Sequence, residues 1–360
     1  SPDFVFGMDG DVARRNILGL AAAQPAMARD GIRLRQIGQT IIELLAGKRI
    51  HPAWTVAGGV NEPLLMENRE KIKAMLPDAY DISRRTLKWF KTQFSKFTEE
   101  AAAFANFPTL FMGLVGPGGE FEYYDGNLRF CDAQGHVVQD QVPGEKYLDV
   151  IGEAVEPFSY MKFPYYKALG YPGGIYRVGP LARLNICDKM GTPGADQEWA
   201  EFRQLQRGAI LSSFHYHYAR LIEILYCCEM IEKLINNPEI MSDYVRARAR
   251  PNRFEGVGVS EAPRGTLIHH YKIDRNGLVT WANLIIATGH NNLAMNRGVL
   301  QVAQRFVDGN KLKEGMLNRC EAVIRCYDPC LSCATHAYGK MPLAIELVTP
   351  DGTVVDEMRR

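Results

Sequence analysis

Apolar residues recur at three- and four-residue spacing through residues 11–48, with Pro25 and Gly31 as punctuation, a pattern that predicts two helices. A third run, 81–104, sets Leu87, Phe90, Phe94 and Phe97 at helical intervals and predicts one long amphipathic helix. The character then changes to short apolar stretches at 110–115, 121–124, 128–131 and 137–138. Gly118-Gly119, Asp125-Gly126-Asn127 and Gln134-Gly135 separate them, which predicts a small β-meander. Helical spacing resumes at 195–207 and 212–236, the second ending near Asn237-Pro238. In 255–287 two β-rich runs flank Asp274-Arg275-Asn276-Gly277, a hairpin signal, and helices at 292–307 and 312–326 follow. Residues 343–348 and 353–356, on either side of Pro350-Asp351-Gly352, predict a last hairpin. The expected fold is mainly α and multi-helical, with small β-sheets.

Composition narrows the function classes. At 46% hydrophobic and 23% charged the chain lies in the ordinary globular range. No Gly/Ser/Pro-rich or strongly charged linker divides it, so one large domain is expected. Formal net charge is +1, with basic and acidic residues interspersed, so nothing argues for nucleic acid. The most apolar helical run, 211–235, is interrupted by His215, His217, Arg220, Glu223 and Glu229, which suits a buried amphipathic helix better than a bilayer span. Eight cysteines at low density form no disulfide framework, and a reducing, cytoplasmic setting is the expectation. The opening Ser1-Pro2-Asp3-Phe4 carries neither an initiator Met nor a signal region and reads as an interior cut of a longer polypeptide.

The most specific chemistry lies in Asp328-Pro329-Cys330-Leu331-Ser332-Cys333-Ala334-Thr335-His336. Two thiols three residues apart can converge on one metal, and soft thiolates suit nickel, zinc, copper(I) or iron-sulfur clusters. Alone, the spacing fits equally a redox pair, half a zinc site or incidental buried thiols. Adjacent His269-His270 on a strand point to opposite faces and chelate poorly, and they, His215 with His217, and Cys227-Cys228 read as packing or interface residues. The glycine clusters at 116–119 and 170–174 sit between no strand and helix, so they are turns rather than phosphate cradles, and any nicotinamide must bind another subunit.

Asp-Pro-Cys-x-x-Cys-x-x-His near a C-terminus resembles the signature of nickel-iron hydrogenase large subunits, and most of all the soluble NAD(P)-reducing kind. Arg177-Val178-Gly179-Pro180-Leu181-Ala182-Arg183 and Glu261-Ala262-Pro263-Arg264-Gly265-Thr266-Leu267 match further family motifs in order, and Asp3 matches an aspartate near the start. The resemblance spans essentially the whole chain and implies the large-subunit fold over residues 1–336. In that family four cysteines hold nickel, two of them bridging to an iron that carries cyanide and carbon monoxide. By this resemblance Cys330 is a terminal nickel ligand and Cys333 a bridging one. The other pair belongs to an N-terminal Cys-x-x-Cys absent from this chain.

The same resemblance places Arg264 over the open face of the metals with Asp3 and Asp328 as carboxylate neighbours. Read without it, Arg264 simply pairs with a carboxylate beneath a hairpin. Arginine is effectively never deprotonated, so the Cys330 sulfur is the preferred proton acceptor. His336 resembles the family's ligand to magnesium; otherwise it is a cap or core histidine. Ala287, Thr288 and Pro263 match the segments around the iron's diatomic ligands, although many members have Pro where Ala287 stands. Implied partners are a small subunit carrying iron-sulfur clusters, diaphorase-type subunits with flavin and NAD(P), and a maturation chaperone and endopeptidase. Mature members generally end at the motif histidine, so the implied processing site is His336-Ala337. Residues 337–360 resemble the removable pro-peptide, with Leu343, Ile345, Leu347 and Val354 expected to dock on the body. Two rival expectations are an apo precursor, client of chaperone and protease, and a metal-free scaffold like the quinone-module subunit of respiratory complex I, which lacks the cysteines.

Overall fold

A computed structural model describes residues 2–159, 161–248, 253–330 and 344–359. A short N-terminal helix, α1 (Asp3–Phe6), leads into α2 (Ile17–Ala23) and α3 (Pro25–Ala46), the two helices expected from the first apolar pattern. A two-residue ribbon, β1 (Thr55–Val56) and β2 (Gly59–Val60), precedes α4 (Met66–Phe94) and α5 (Thr98–Ala103). The expected single helix over 81–104 is thus wrong at both ends. Its true start lies before Pro77, which the helix tolerates because Ile72, Leu76, Ala79 and Ile82 keep one face buried on both sides of it. At the other end a break at 95–97 turns the chain so that Phe97 enters the core.

Strands β3 (Leu110–Val115), β4 (Asn127–Cys131) and β5 (Val137–Val142) form the expected meander. Residues 121–124 add only a bridge from Phe121 to Val115, because Phe121 turns inward against Tyr226. The central β3 is buried along its whole length and gains a parallel neighbour later in the chain. After α6 (Tyr147–Val150) comes a hairpin absent from the sequence expectation, β6 (Ile151–Val155) with β7 (Lys162–Tyr166). Then β8 (Tyr176–Arg177) closes the four-stranded sheet in the order β5-β4-β3-β8.

Helix α7 (Pro180–Ile186) follows at once, with Pro180 in its first turn and all seven residues buried. Helices α8 (Pro193–Arg203) and α9 (Tyr216–Ile235) match the expected pair, and α9 packs along α4. Their shared core is aromatic: Phe4 meets Phe90, Phe97 and Phe214 edge-on at 5.2, 5.3 and 5.5 Å between ring centroids.

Strands β9 (Glu255–Ala262), β10 (Gly265–Ile273) and β11 (Val279–Ile285) make an antiparallel meander with β10 central. The Asp274–Gly277 turn joins β10 to β11 as expected. The tighter turn from β9 to β10 consists of Pro263-Arg264 alone, since Ala262 faces Gly265. Helix α10 (Ala287–His290) runs into α11 (Asn292–Phe306), and α12 (Glu314–Cys326) delivers the chain to Cys330.

The final hairpin, β12 (Ala344–Val348) with β13 (Val354–Arg359), pairs only with itself among the described strands. Val354 is 51% exposed, against the expectation that it docks on the body, while Ile345 and Leu347 are half-buried. Leu343 lies outside the described residues. No helix among the described residues is long and apolar enough to cross a membrane.

Candidate metal centre

Three separate segments meet at the start of the cysteine motif. The first is the chain leaving α12. Asp328 adopts φ +51, in the left-handed region, which turns the backbone sharply before Pro329-Cys330. The second is the Pro263-Arg264 turn. Arg264 Nε donates to the Asp328 main-chain carbonyl at 2.5 Å, and its Nε and Nη2 lie 3.4 and 3.5 Å from the two carboxylate oxygens. Both side chains stay accessible, at 39% for Arg264 and 46% for Asp328. The third is α10, where buried Thr288 accepts the Cys330 backbone N–H on its hydroxyl at 3.0 Å. Ala287, beside it, is buried as well.

Asp328 and Pro329 line an open cleft of ≈ 660 Å³ with His217, Arg220, Glu321, Ile324 and Arg325. Asp3 serves this cleft from behind. Its carboxylate is almost wholly buried and is gripped by Arg15 and by Arg325, the latter at 3.1 Å. Of the two carboxylates expected around Arg264, Asp328 meets it directly, and Asp3 also fixes Arg325 on the cleft wall. His217 is half-buried on the cleft wall, and desolvation, reinforced by Arg220, holds its pKa well below the usual histidine range, so it lines the cleft as a neutral ring.

Several of the other described cysteines lie away from this site in the core. Burial pushes the thiols of Cys131 and Cys227 up to about 11 and about 12, and those of Cys187 and Cys326 upward too. They are protonated core thiols, and all seven described cysteines are free of disulfides. Cys330 sits half-buried at the site. The histidine doublets are likewise structural: His270 bonds Tyr147 and Glu255, His215 packs on Phe94, and His217 packs on Phe4.

Cys333, His336 and Ala337 lie outside the described residues. Among the described residues no group of three or more His, Cys, Asp and Glu side chains could hold a metal by itself. Cys330 nonetheless fits a soft metal in donor chemistry and in setting. Its backbone is pinned by Thr288, and a cation held by Asp328 stands nearby to offset anionic ligands.

Sequence reasoning named Arg183 and Glu261 only as parts of matched motifs and missed that they support Arg264 from below. Arg183 in α7 is fully buried and ion-paired to Glu223 of α9 and Glu261 of β9, each at 2.7 Å. Its available signal was one charge inside a short helix whose remaining residues, Asn185 apart, are apolar.

Residues 123–336 match the family described as nickel-dependent hydrogenase. The chain is 40% identical, over an alignment of 369 positions, to the NAD-reducing hydrogenase HoxS subunit beta of Cupriavidus necator, covering 100% of this chain and 75% of that protein. It is 37% identical over 363 positions to a subunit of the F420-non-reducing hydrogenase of Methanothermobacter marburgensis, covering 99% and 75%. Among solved structures, an NAD+-reducing NiFe hydrogenase in the H2-reduced state matches with TM-score 0.89 at 42% identity, over 93% of this chain and 74% of that one. The Ni-Fe-Se hydrogenase of Desulfovibrio vulgaris Hildenborough shares the fold at TM-score 0.64 and 20% identity, over 89% and 71%. With Cys330, the arginine turn and Thr288 brought together in this fold, the chain belongs to the nickel-dependent hydrogenase family as a large subunit.

Proposed function

We propose that the chain is the catalytic large subunit of a soluble hydrogenase that reversibly and heterolytically oxidises dihydrogen, passing electrons through an iron-sulfur small subunit to flavin and NAD(P) in diaphorase-type partners. The observation that carries this reading is the convergence of Arg264, Thr288 and Cys330 through two hydrogen bonds from separate segments. The NAD linkage draws support from relatives whose names state NAD reduction.

Cys330 and Cys333 would hold the nickel-iron centre, and His336 would hold magnesium. When bound, the nickel-iron centre supplies the open coordination position at which dihydrogen is polarised and its two electrons are taken up. The chain's own residues set the conditions. Arg264 keeps its proton, and its fixed charge favours anionic character beside Cys330. Asp328 orients the guanidinium from its main chain and side chain together. The Cys330 sulfur would receive the proton and pass it toward the cleft, whose wall carries the carboxylates of Asp328 and Glu321. Thr288 and Ala287, with Pro263, would form the wall around the iron's diatomic ligands, Thr288 offering its hydroxyl.

The test is metal analysis with hydrogen-dependent NAD(P) reduction on the full complex. Cys330→Ser should lose bound nickel and turnover together. Failure of the complete, processed protein to take up nickel at all would refute the reading.

A second reading concerns residues 337–360, which we take as a removable extension holding the chain in a precursor state until nickel is in place. The separate β12–β13 hairpin favours it. C-terminal mass measured alongside metal content checks this: nickel bound stably with the extension intact would defeat it.

A further inference from the structure

We infer that Arg183 is a positioning residue for Arg264, fixing from below the two-residue turn on which that guanidinium is carried. The inference rests on the hydrogenase reading above and names a part of its machinery that the cysteine motif does not contain.

A guanidinium has five N–H donors, and Arg183 spends all of them. Nε and Nη2 form a two-pronged pair with Glu223 at 2.7 and 2.8 Å. Nη1 reaches Glu261 at 2.7 Å. The remaining two go to main-chain carbonyls: Nη1 to Ala262 and Nη2 to Pro263, both at 3.0 Å. Those carbonyls belong to the two residues immediately before Arg264. A buried arginine paired with two carboxylates could satisfy itself in many ways; here it also takes hold of the backbone of one tight turn.

The counter-charges are themselves immobile. Glu261 accepts from Leu114 N–H at 3.0 Å and from the Thr266 hydroxyl at 2.7 Å. Burial pushes its carboxyl up, while Arg183 and these two donors pull it back down and hold it in one geometry. Glu223 is buried in α9. From the other side Gly179, at φ +95, lies so close that a Cβ there would sit 2.6 Å from the Arg264 carbonyl, and a Cβ on Gly265 would sit 2.3 Å from Val178. The turn is therefore clamped between the Val178-Gly179 backbone and a saturated guanidinium. Arg264, by contrast, projects a long and partly exposed side chain whose described anchor at its tip is Asp328. A small shift at the turn is carried along that lever to the group over Cys330.

The experiment compares Arg183→Lys, Arg264→Lys and the double variant in the partner-assembled protein. Lysine keeps the charge but cannot span both carboxylates and both carbonyls. Hydrogen–deuterium exchange should rise by about tenfold or more across residues 262–267 in Arg183→Lys and stay unchanged at the 274–277 turn of the same meander. Turnover should fall by about 10- to 100-fold with KM for dihydrogen unchanged and nickel content retained. In the Arg264→Lys background the same change should alter kcat by less than about twofold, because both act through one group. Unchanged exchange at 262–267, or losses that multiply in the double variant, would overturn the inference. If Arg183→Lys does not yield folded protein, Glu223→Gln withdraws one counter-charge and should move the same readouts in the same direction. A wild-type complex lacking nickel and hydrogen turnover would instead sink the hydrogenase reading, and the exchange result would still decide whether Arg183 holds the turn.

Discussion

Two antiparallel hairpins lie on either side of the cysteine motif in sequence, and they are attached to the body in opposite ways. The β9–β10 hairpin is held from inside: its turn carbonyls rest on Arg183, Glu261 and Thr266 are buried, and Ile268 lies in the core beneath the sheet. The β12–β13 hairpin is held at its rim, where Asp356 accepts the Leu312 N–H at 2.8 Å just ahead of α12, and Val348, Val354 and Val355 remain half-exposed. One hairpin is built as permanent architecture. The other belongs to the segment that, on the reading proposed above, leaves once nickel is in place.

The contrast can be broken most severely at Arg183. Arg183→Met strands two buried carboxylates and should cost about 3–5 kcal/mol of stability, read as a large drop in the unfolding midpoint. A loss below about 1 kcal/mol would mean the first hairpin is not anchored this way. Arg264→Lys addresses the exposed end of the same hairpin. It should leave the midpoint nearly unchanged while lowering turnover by about 10²-fold, and a matching loss of stability would show that Arg264 is structural too.

Acid should strike the body. Burial depresses His215 to about 4 and His290 to about 3, below their ordinary 6.5, so each is neutral when folded. Their contribution is complete above 6.5 and is lost as pH falls toward those folded values, by roughly 1.4 kcal/mol per pH unit for each. Denaturant midpoints measured between neutral pH and acid, on proteins with and without residues 337–360, should fall in parallel. Thr288→Val removes the acceptor of the Cys330 N–H and should cost about 1 kcal/mol, seen as faster amide exchange there and faster loss of nickel to a chelator. The smallest change is Asp356→Ala, at about 1 kcal/mol or less, with no shift in the body's midpoint but faster proteolysis at the tail hairpin. Equal proteolysis of both forms would show that the rim contact does not hold the tail.

Much of this was legible in the sequence for definite reasons. Helices α3, α11 and α12 have strong apolar periodicity, α9 is a long apolar run, and Asp274–Gly277 and Pro350-Asp351-Gly352 carry the residues that tight turns demand. The extent of α4 was hidden because Pro77 reads as a breaker, and only burial on both sides of it shows that the helix continues. The Pro263-Arg264 turn was hidden because its geometry comes from the surface beneath it and from Gly265, with no Asn-Gly signature of its own. Site residues divide similarly. Cys330, Arg264, Asp328 and Thr288 were found through motifs and do converge. Arg183, Glu223 and Glu261, three charges drawn from three elements, have a joint meaning only once the chain is folded, since no spacing relates them.

The backbone at Asp328 limits how this centre can be altered. A residue with φ +51 tolerates asparagine or glycine readily and β-branched side chains hardly at all. Asparagine would preserve the bend and the main-chain carbonyl that Arg264 uses while deleting one negative charge. Glycine would keep the bend and delete the side chain outright. The position thus admits a graded titration of electrostatics at constant shape, a separation that few sites beside a metal permit, and one that valine, isoleucine or threonine there would forfeit by straightening the path to Cys330.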